Sequence, residues 1–501
     1  MGNYTFKLTF EQYSVILVCM AFFFTFLRLH EVKVTEKRVF HIAGFIVVAL
    51  GCGLFTNQII LSDFMEEHQI NIRMFRPMES YQKYGGVLTF ARSVGYAVVK
   101  KPEGYTTAKV DQIIQEYEKK SANEQQSTAK QYPNIITVVN ETFADIKVLG
   151  DFKTNEDYMP YFHSLKKNCV TGYTYASIVG GQTANTEFEL LTGNTLGFLS
   201  AGTTAFQLYI HGQMPSLVSN LKAEGYSGNK AMHPFNPYNY NRPAVYKDFG
   251  FTDFIDKFDF PKNVKRVREY ISDEANVDRI ISEYEKNRKK TDQPFYMYNM
   301  TIQNHSPYDK DAANFKQPIK IESSKYDAEA NRYLNLIKYS DDSLKQLTSY
   351  FEKCKEPTII LFLGDHQPRL TDEFMNKITN GQYQTWSSEQ MMKRYQVPFV
   401  IWANYDIKEQ HIEKTSMNYI QSILTKTAGV KMTGYQRFLN EVRKEVPTIT
   451  SQGYWGKNGK FYQINDKGSP YYGIIQKYRM IQYNMMFDKK NRRDSFFEVS
   501  K

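Results

Sequence analysis

Acidic and imidazole side chains follow two apolar runs of this sequence, and their chemical types suit a metal site. The run Pro357–Gly364 is followed directly by Asp365 and His366. Glu141 directly follows a second such run, Asn134–Asn140. Carboxylate oxygens and an imidazole nitrogen, without a thiol, suit Mn²⁺, Mg²⁺ or Zn²⁺. A single acidic residue after a strand is more often part of a turn or a helix cap, so the three residues indicate a metal site only when they are considered together.

A glycine-rich loop, Gly180–Gly193, offers a hydroxyl nucleophile. Its glycines permit a tight turn, and Ala184–Leu191 is a good start for a helix, which places Thr183 at or near the helix amino terminus. Backbone N–H groups and the helix dipole stabilise an anion there, so a bound phosphate would lie beside the Thr183 hydroxyl. A metal ion that contacts this oxygen would lower its pKa and make it an alkoxide. The alternative is an ordinary N-cap threonine, which is the commoner role.

Four apolar runs predict the strands that must position these residues. The predicted strands are Asn134–Asn140, Pro294–Met300, Pro357–Gly364 and Pro398–Ala403. Helical patterns separate them, for example at Val264–Tyr270, Val277–Lys289 and Ala328–Cys354. Strands that alternate with helices predict an α/β domain with a mostly parallel central sheet flanked by helices. Three of the four strands run into Glu141, Asp365 or the nearby His305, and open sheets place their chemistry at the carboxyl ends of strands.

Two apolar segments near the start predict a membrane anchor. Val39–Ser62 is long enough for a span, which needs about 20 apolar residues, and Gln12–Leu27 is short but feasible. The first segment resembles the apolar part of a signal peptide, but its start is not basic and no small-residue cleavage site follows it. The connector between the segments is basic, which favours a cytoplasmic connector and places everything after Leu61 outside the cytoplasm.

We predict four regions along the chain. Residues 1–62 form a membrane anchor of two transmembrane helices, and residues 63–130 form a juxtamembrane helical connector. Residues 131–430 form the catalytic domain, and residues 431–501 form a C-terminal cap on it.

Composition limits the partners that we expect. The formal net charge is +10, which fits an anionic partner such as an acidic lipid, a cell-wall polymer or nucleic acid. The lysines are scattered and we find no nucleic-acid-binding motif, so nucleic acid is disfavoured. Outside the two apolar segments only Cys169 and Cys354 remain, which allows one disulfide at most and leaves their pairing open.

Three motifs, in their order and spacing, resemble the lipoteichoic acid synthase family, which comprises membrane-anchored phosphoglycerol transferases of the sulfatase/alkaline phosphatase-like superfamily. The motifs are Asn140–Phe143, Gly181–Phe188 and Gly364–His366. The resemblance covers residues 131–430 and implies the fold of that superfamily. It implies Thr183 as the nucleophile, and as metal ligands it implies Glu141, Thr183, Asp365 and His366. The implied cofactor is one divalent ion, Mn²⁺ first and Mg²⁺ or Zn²⁺ as alternatives.

The resemblance also implies a group of substrate-binding residues, which are His233, Tyr240, Asn241, Arg242 and His305. Arg242 is chemically suited to clamp a phosphate. Two features depart from the family. Tyr240 stands where the family has a substrate-stacking tryptophan, which leaves the donor headgroup open. Two predicted spans replace the usual five, which leaves open whether the enzyme polymerises, primes, modifies a headgroup or builds a capsular polymer.

We therefore predict an extracytoplasmic, metal-dependent phosphotransferase of a bacterial cell membrane. Thr183 would attack a phospholipid donor such as phosphatidylglycerol, and a glycolipid or wall-polymer acceptor would resolve the phospho-threonine intermediate. A sulfatase-like or phosphodiesterase hydrolase on the same fold remains an alternative, although the sulfatase signature Cys/Ser-x-Pro-x-Arg is absent. A catalytically inactive wall-binding membrane protein is the other alternative, and the intact ligand set argues against it.

Overall fold

The computed structural model describes residues 38–61, 72, 77–97, 99–121, 131–322, 327–381 and 383–499. Its contacts divide the chain into two units, Met1–Val98 and Val99–Lys501.

The first unit is helical over its described residues. Its helices are α1 (Arg38–Phe55), continued by a π-helix (Thr56–Leu61), α2 (Pro77–Tyr84) and α3 (Gly86–Ala97). The predicted span Gln12–Leu27 lies outside the described residues, and the predicted span Val39–Ser62 falls largely on α1 and the π-helix. Within the described part of the chain, no helix combines the length and the apolar character that crossing a membrane requires.

The second unit alternates strands and helices along the chain. Its helices are α4 (Thr107–Ser121), α5 (Pro160–Ser164), α6 (Thr183–Thr192), α7 (Ala205–Leu208), α8 (Leu217–Ala223), α9 (Arg242–Phe249), α10 (Asp273–Arg288), α11 (Ala328–Phe351), α12 (Asp372–Ile378), α13 (Ser388–Met391), α14 (Met417–Thr427), α15 (Gly434–Glu445), α16 (Tyr472–Phe487) and α17 (Asp494–Phe497). Its strands are β1 (Asn134–Asn140), β2 (Cys169–Tyr175), β3 (Ser227–Met232), β4 (Asp253–Ile255), β5 (Arg266–Val267), β6 (Tyr270–Ile271), β7 (Phe295–Met300), β8 (Thr358–Gly364), β9 (Gln396–Ala403), β10 (Gln410–Ser416), β11 (Thr448–Thr450), β12 (Gly453–Trp455) and β13 (Phe461–Tyr462). Short 3-10 helices lie at Ile146–Val148, Leu196–Phe198, Asn239–Asn241, Lys257–Asp259, Tyr383–Thr385 and Met392–Tyr395.

An eight-stranded sheet forms the centre of this unit, in the order β10-β2-β9-β8-β1-β7-β3-β4. Five of its seven neighbouring pairs are parallel, and β9 runs antiparallel to both β2 and β8. The predicted α/β class is confirmed, with a sheet that is mixed and mostly parallel. The predicted strands β1, β7 and β8 lie side by side and parallel, so their carboxyl ends share one edge.

The central strands are buried on both faces of the sheet. Ile135 and Val139 of β1 pack into one apolar cluster, which includes residues of α6, α14 and α15. Ile136 and Val138 pack into a second cluster on the other face, which includes residues of α10 and α11. This alternation follows from the period of two along a strand. The result is three layers, helix on sheet on helix, which explains why the central strands read as continuous apolar runs.

The predicted helix Val264–Tyr270 is wrong. The chain there forms an antiparallel hairpin, β5 with β6, and Arg268 adopts a φ of +54° between the two strands. A helix cannot continue through that left-handed conformation. The other two predicted helices correspond to α10 and α11.

Four strands of the sheet are not predicted from the sequence, because they lack a continuous apolar run. β2 contains a glycine and two threonines, and β10 is mostly polar and half exposed. β3 and β4 lie at the far edge of the sheet and are short and partly exposed. Cys169 and Cys354, whose pairing the sequence left open, are both free thiols.

Candidate functional site

The structure brings Glu141, Asp365 and His366 together at the carboxyl edge of the sheet. β1 and β8 are paired in register with Asn140 opposite Gly364, so the next residues of the two strands also lie side by side. One ligand atom of each of the three residues lies within 4.8 Å of the others, and all three side chains are buried. The juxtaposition that the sequence predicts is therefore present.

Close backbone packing fixes this edge. A Cβ atom on Gly364 would lie 1.8 Å from the carbonyl oxygen of Phe143, so only glycine fits at the end of β8. Thr142 adopts a φ of +54°, which turns the chain after Glu141. The N–H of Thr142 then donates to Asp365 Oδ1 at 2.6 Å. The turn after β1 thus holds the carboxylate that follows β8.

Two buried atoms of the cluster have no hydrogen-bond partner among the described residues, Asp365 Oδ2 and His366 Nε2. They lie 3.2 Å apart. His366 Nδ1 lies 3.0 Å from the carbonyl oxygen of Gln367, which only accepts, so Nδ1 carries the proton and the lone pair is on Nε2. Buried polar atoms are almost always paired, so this carboxylate oxygen and this imidazole nitrogen fit a cation between them.

The charge balance of the cluster points the same way. Burial, and then the neighbouring Asp365 carboxylate, raise the pKa of Glu141 to about 8. Glu141 also accepts a hydrogen bond from its neighbour Thr142, Oγ1 to Oε1 at 2.7 Å. Two buried carboxylates this close repel each other, and a divalent cation would remove that penalty. The donor set of two carboxylates and one neutral imidazole fits Mn²⁺, Mg²⁺ or Zn²⁺.

Thr183 is the first residue of α6. The residue in the N-cap position is Gln182, in the left-handed conformation at a φ of +69° and without a side-chain capping bond. Gly180 and Gly181 also have positive φ values, +67° and +137°. The glycines therefore make the tight turn that the sequence predicts, and Thr183 itself does not serve as the N-cap. Its buried hydroxyl lies at a helix amino terminus, where backbone N–H groups and the helix dipole favour an anion.

Two hydrogen bonds tie the amino end of α6 to the Asp365 turn. Thr186 Oγ1 donates to the carbonyl oxygen of Asp365 at 2.8 Å. The N–H of Gly180 donates to the carbonyl oxygen of Gln367 at 3.0 Å. Because residues three apart lie on the same face of a helix, Thr183 shares the face of Thr186 that contacts this turn. The Thr186 hydroxyl is therefore engaged with the backbone.

Arg242 is buried and paired with Glu187 on α6. Its Nε and Nη2 atoms donate to Glu187 Oε1 at 3.0 and 2.7 Å. Tyr298 donates to Glu187 Oε2 at 3.1 Å, and Tyr246 donates to the same oxygen. The Arg242 charge opposes the rise in the pKa of Glu141 and adds to the effect of burial in lowering the pKa of His233, so its positive field reaches the cluster. The structure thus fixes this guanidinium beside the site on α6.

His233 and His305 are held as neutral imidazoles. Burial, and then the Arg242 charge, lower the pKa of His233 well below its usual range, and its Nδ1 lies 3.0 Å from the carbonyl oxygen of Met300. Burial also lowers the pKa of His305, whose Nδ1 lies 2.6 Å from the carbonyl oxygen of Ser306. The Asp365 carboxylate opposes that shift, so His305 lies within reach of its field.

Tyr240 and Asn241 lie on the turn before α9. Both adopt left-handed backbone conformations, with φ values of +59° and +60°. The Arg242 guanidinium lies 5.1 Å from the centre of the Tyr240 ring, and burial raises the pKa of Tyr240, with further contributions from Glu141 and Asp365. Asn241 is exposed. The charges of Glu141 and Asp365 therefore act on Tyr240, whereas Asn241 shows no such interaction with the described residues of the cluster.

Sequence reasoning missed the residues that hold the site in shape. Thr142, Thr186 and Glu187 each bond a predicted site residue, although they lie within or beside the motifs already noted. A signal existed for Glu187, which lies one helical turn after Thr183 in the same motif. Nothing in the sequence joins Arg242 to Glu187, since the pairing depends on how α9 packs beside α6.

The chain is similar to several known proteins. A family model described as Sulfatase matches residues 133–430. A candidate cyclic beta-1,2-glucan modification protein of Rhizobium meliloti (strain 1021) is 30% identical over 433 residues, which cover 85% of this chain and 65% of the relative. The lipoteichoic acid synthase of Staphylococcus saprophyticus is 23% identical over 374 residues, 72% of this chain and 55% of the relative. The chain thus spans less than two thirds of the length of these curated relatives.

A solved structure is similar in fold. The Streptococcus pyogenes phosphoglycerol transferase GacH, in complex with sn-glycerol-1-phosphate, aligns with a TM-score of 0.65 and 21% identity, over 80% of this chain and 100% of that one.

Proposed function

The chain belongs to the sulfatase family, and from that premise we propose that it is a phosphoglycerol transferase of the lipoteichoic acid synthase type. The resemblance inferred from the sequence motifs is confirmed by the family match and by the similarity to the lipoteichoic acid synthases. The observation that carries the proposal is the buried Glu141–Asp365–His366 cluster, whose unpartnered atoms lie at the edge to which the Thr183 helix is bonded.

Each of the site residues has a role in the proposed phosphoglycerol transfer. Glu141, Thr183, Asp365 and His366 would hold one divalent ion, Mn²⁺ first among the candidates, which supplies Lewis acidity and neutralises negative charge. The helix amino terminus at Thr183 and the fixed Arg242 guanidinium would orient the donor phosphate. The neutral His233 and His305 would hydrogen-bond its oxygens. Tyr240 and Asn241 would contact the headgroup.

The proposed reaction proceeds in two displacements at phosphorus. The Thr183 oxygen bonds to the phosphorus of a phosphatidylglycerol-like donor, the bond to the diacylglycerol oxygen breaks, and that oxygen takes up a proton as diacylglycerol leaves. A hydroxyl of a glycolipid or wall-polymer acceptor then bonds to the same phosphorus and gives up its proton, the bond between the Thr183 oxygen and phosphorus breaks, and the Thr183 oxygen takes up a proton. A hydrolase would use water in the second step.

The setting of this reaction follows from the same premise. We propose that the catalytic region, 131–430, lies outside the cytoplasm, attached to the membrane by the apolar segments within 1–62, because its donor is a lipid. The connector 63–130 and the cap 431–501 complete the proposed division of the chain.

Release of diacylglycerol from phosphatidylglycerol vesicles tests the proposal. With Mn²⁺ present, we expect the full-length chain to release diacylglycerol and Thr183→Ala to release none while remaining folded. Thr192→Ala is the matched control, because its hydroxyl lies at the far end of α6 from Thr183, where it donates to the carbonyl oxygen of Phe188 at 2.7 Å and accepts from the N–H of Asn194 at 3.1 Å. Substantial release by a folded Thr183→Ala chain would overturn the assignment and favour a metal-bound water as the nucleophile.

A further inference from the structure

A cavity of about 530 Å³ opens on the hairpin side of the site and has no role in the donor chemistry. Its lining combines aromatic rings with basic side chains. Among the lining residues are Phe235, Lys257, Phe258, Lys262, Arg266 and Tyr270. Its volume falls within the range of about 300–1,000 Å³ that ligand pockets occupy.

The inner wall of the cavity is also the outer wall of the active site. The Phe235 ring lies 6.1 Å from the His233 ring and stacks on the His305 ring at 6.3 Å, centre to centre. Tyr270 lies 6.0 Å from Phe235, and its hydroxyl lies 3.4 Å from His305 Nδ1. A ligand seated against Phe235 and Tyr270 would therefore be one imidazole away from the proposed phosphate position.

The cavity carries an excess of positive charge. In the part of the chain that the structure describes, Lys257, Lys262 and Arg266 form no ion pair within 4.0 Å, and Glu269 is the one carboxylate among the lining residues. Lys257 instead lies over the rings of Phe258 and Phe235, at 4.9 and 5.9 Å. Cations left without carboxylate partners favour an anionic ligand.

Flat apolar surface lies beside these cations. Phe258 is 74% exposed, so its ring is open to a ligand. Aromatic faces pack well against the C–H faces of sugar rings, and the adjacent cations suit acidic substituents on them. Two acyl chains would need a larger apolar surface without charges, so the lining disfavours the lipid donor as occupant.

We propose that this cavity is the acceptor subsite and that the acceptor is a glycan bearing anionic substituents such as phosphodiesters. This inference rests on the proposed transferase function and deepens it. A glycan seated here would present a hydroxyl toward His305 and the donor phosphate. Phosphoglycerol already transferred to the glycan would pair with Lys257 and Lys262, so the subsite would favour an acceptor that has been substituted before.

Binding is measured by calorimetry on the full-length Thr183→Ala chain, which cannot turn over. The probes are a β-1,2-glucan and the same glucan substituted with phosphoglycerol. We expect the substituted glucan to bind about tenfold more tightly, and the double variant Lys257→Gln, Lys262→Gln to abolish that difference. Phe258→Ala should weaken both probes about tenfold. The control Lys345→Gln, Lys353→Gln alters exposed lysines elsewhere and should leave both affinities unchanged.

Unchanged affinity of the substituted glucan for the Lys257/Lys262 double variant would overturn the subsite. So would equal affinity of the parent chain for the two glucans. Diacylglycerol release by the same double variant with Thr183 intact keeps the two proposals apart, because the donor step should proceed at the wild-type rate. Glucan binding as expected with no diacylglycerol release by the wild type would leave the cavity as a site that binds anionic glycans and refute the transferase.

Discussion

At the scale of single residues, two atoms distinguish the acidic cluster from an ordinary turn after a strand. Asp365 Oδ2 and His366 Nε2 are buried without a hydrogen-bond partner among the described residues, and they lie 3.2 Å apart. In an ordinary N-cap or turn, these atoms would accept hydrogen bonds from backbone N–H groups. Their arrangement is better explained by a cation that completes their coordination.

Removal and return of the metal should show this in stability. We expect the chelator-treated full-length chain to gain melting temperature when Mn²⁺ is added, since an ion at 100 times its Kd stabilises by about 2.7 kcal/mol. Asp365→Asn should lose most of the gain, because it removes one ligand charge. Asp292→Asn, at a side chain that is 98% exposed, is the control. An equal gain in Asp365→Asn and wild type would place the ion elsewhere.

The buried pair of Glu187 and Arg242 gives a second prediction at this scale. Glu187→Gln keeps the shape of the side chain but leaves the buried guanidinium without its counter-charge. Breaking one side of such a pair costs about 3–5 kcal/mol, and retained hydrogen bonds should place this variant at the low end. Urea unfolding should show the loss, and KM for phosphatidylglycerol should rise because an uncharged partner holds Arg242 less firmly. The exposed Glu413→Gln is the control, and unchanged stability and KM would refute a positioning role.

At the scale of elements, α6 begins at Thr183, the proposed nucleophile, and carries the buried Glu189 near its other end. Glu189 on this helix accepts hydrogen bonds from Ser177 Oγ at 2.7 Å and from the N–H of Leu196 at 2.9 Å, while its buried Oε2 has no hydrogen-bond partner in the described part of the chain. Burial raises the pKa of Glu189 to about 7. The helix is thus held by a carboxyl group that prefers to be protonated.

This predicts a pH dependence of folding. The unfolded chain releases the Glu189 proton near the ordinary value of 4.5, whereas the folded chain keeps it until about pH 7. The stabilisation is therefore full below about pH 4.5 and is lost as the pH rises to about 7, by about 3 kcal/mol in all. Glu189→Gln should flatten this part of the curve in urea unfolding measured from pH 5 to 8. A variant whose slope equals that of the wild type would show that Glu189 does not titrate there.

Sequence patterns anticipate the elements unevenly, for physical reasons. β1, β7, β8 and β9 are buried on both faces of the sheet, so their sequences are continuous apolar runs that can be recognised. Because β1 and β8 are parallel and in register, the residues that follow them are expected to lie close together. β2 contains a glycine and two threonines, and β10 is mostly polar and half exposed, so neither strand forms a continuous apolar run in the sequence. Helix and hairpin cannot be told apart at Val264–Tyr270 by periodicity, because the turn depends on one residue, Arg268, taking a positive φ. Pairings such as Arg242 with Glu187 arise only when distant helices pack.

At the scale of the whole molecule, the proposed reaction requires the catalytic unit to lie outside the cytoplasm. The basic connector between the two apolar segments, residues 28–38, motivates this. An alkaline phosphatase reporter fused after Asp63 should be active in cells, and a reporter fused after Lys33 should be inactive. The reverse pattern would refute the proposed topology and with it access to an outer-leaflet donor.

The central claim is that Thr183 carries the phosphoglycerol group during transfer. Intact-mass and peptide mass spectrometry of the full-length chain in detergent, after incubation with phosphatidylglycerol and Mn²⁺ but no acceptor, tests it most directly. We expect a mass increase of one phosphoglycerol group, located on the peptide that contains Thr183, lost on addition of a glycolipid or wall-polymer acceptor and absent from Thr183→Ala. Diacylglycerol release without any adduct, or an adduct on another residue, would contradict it.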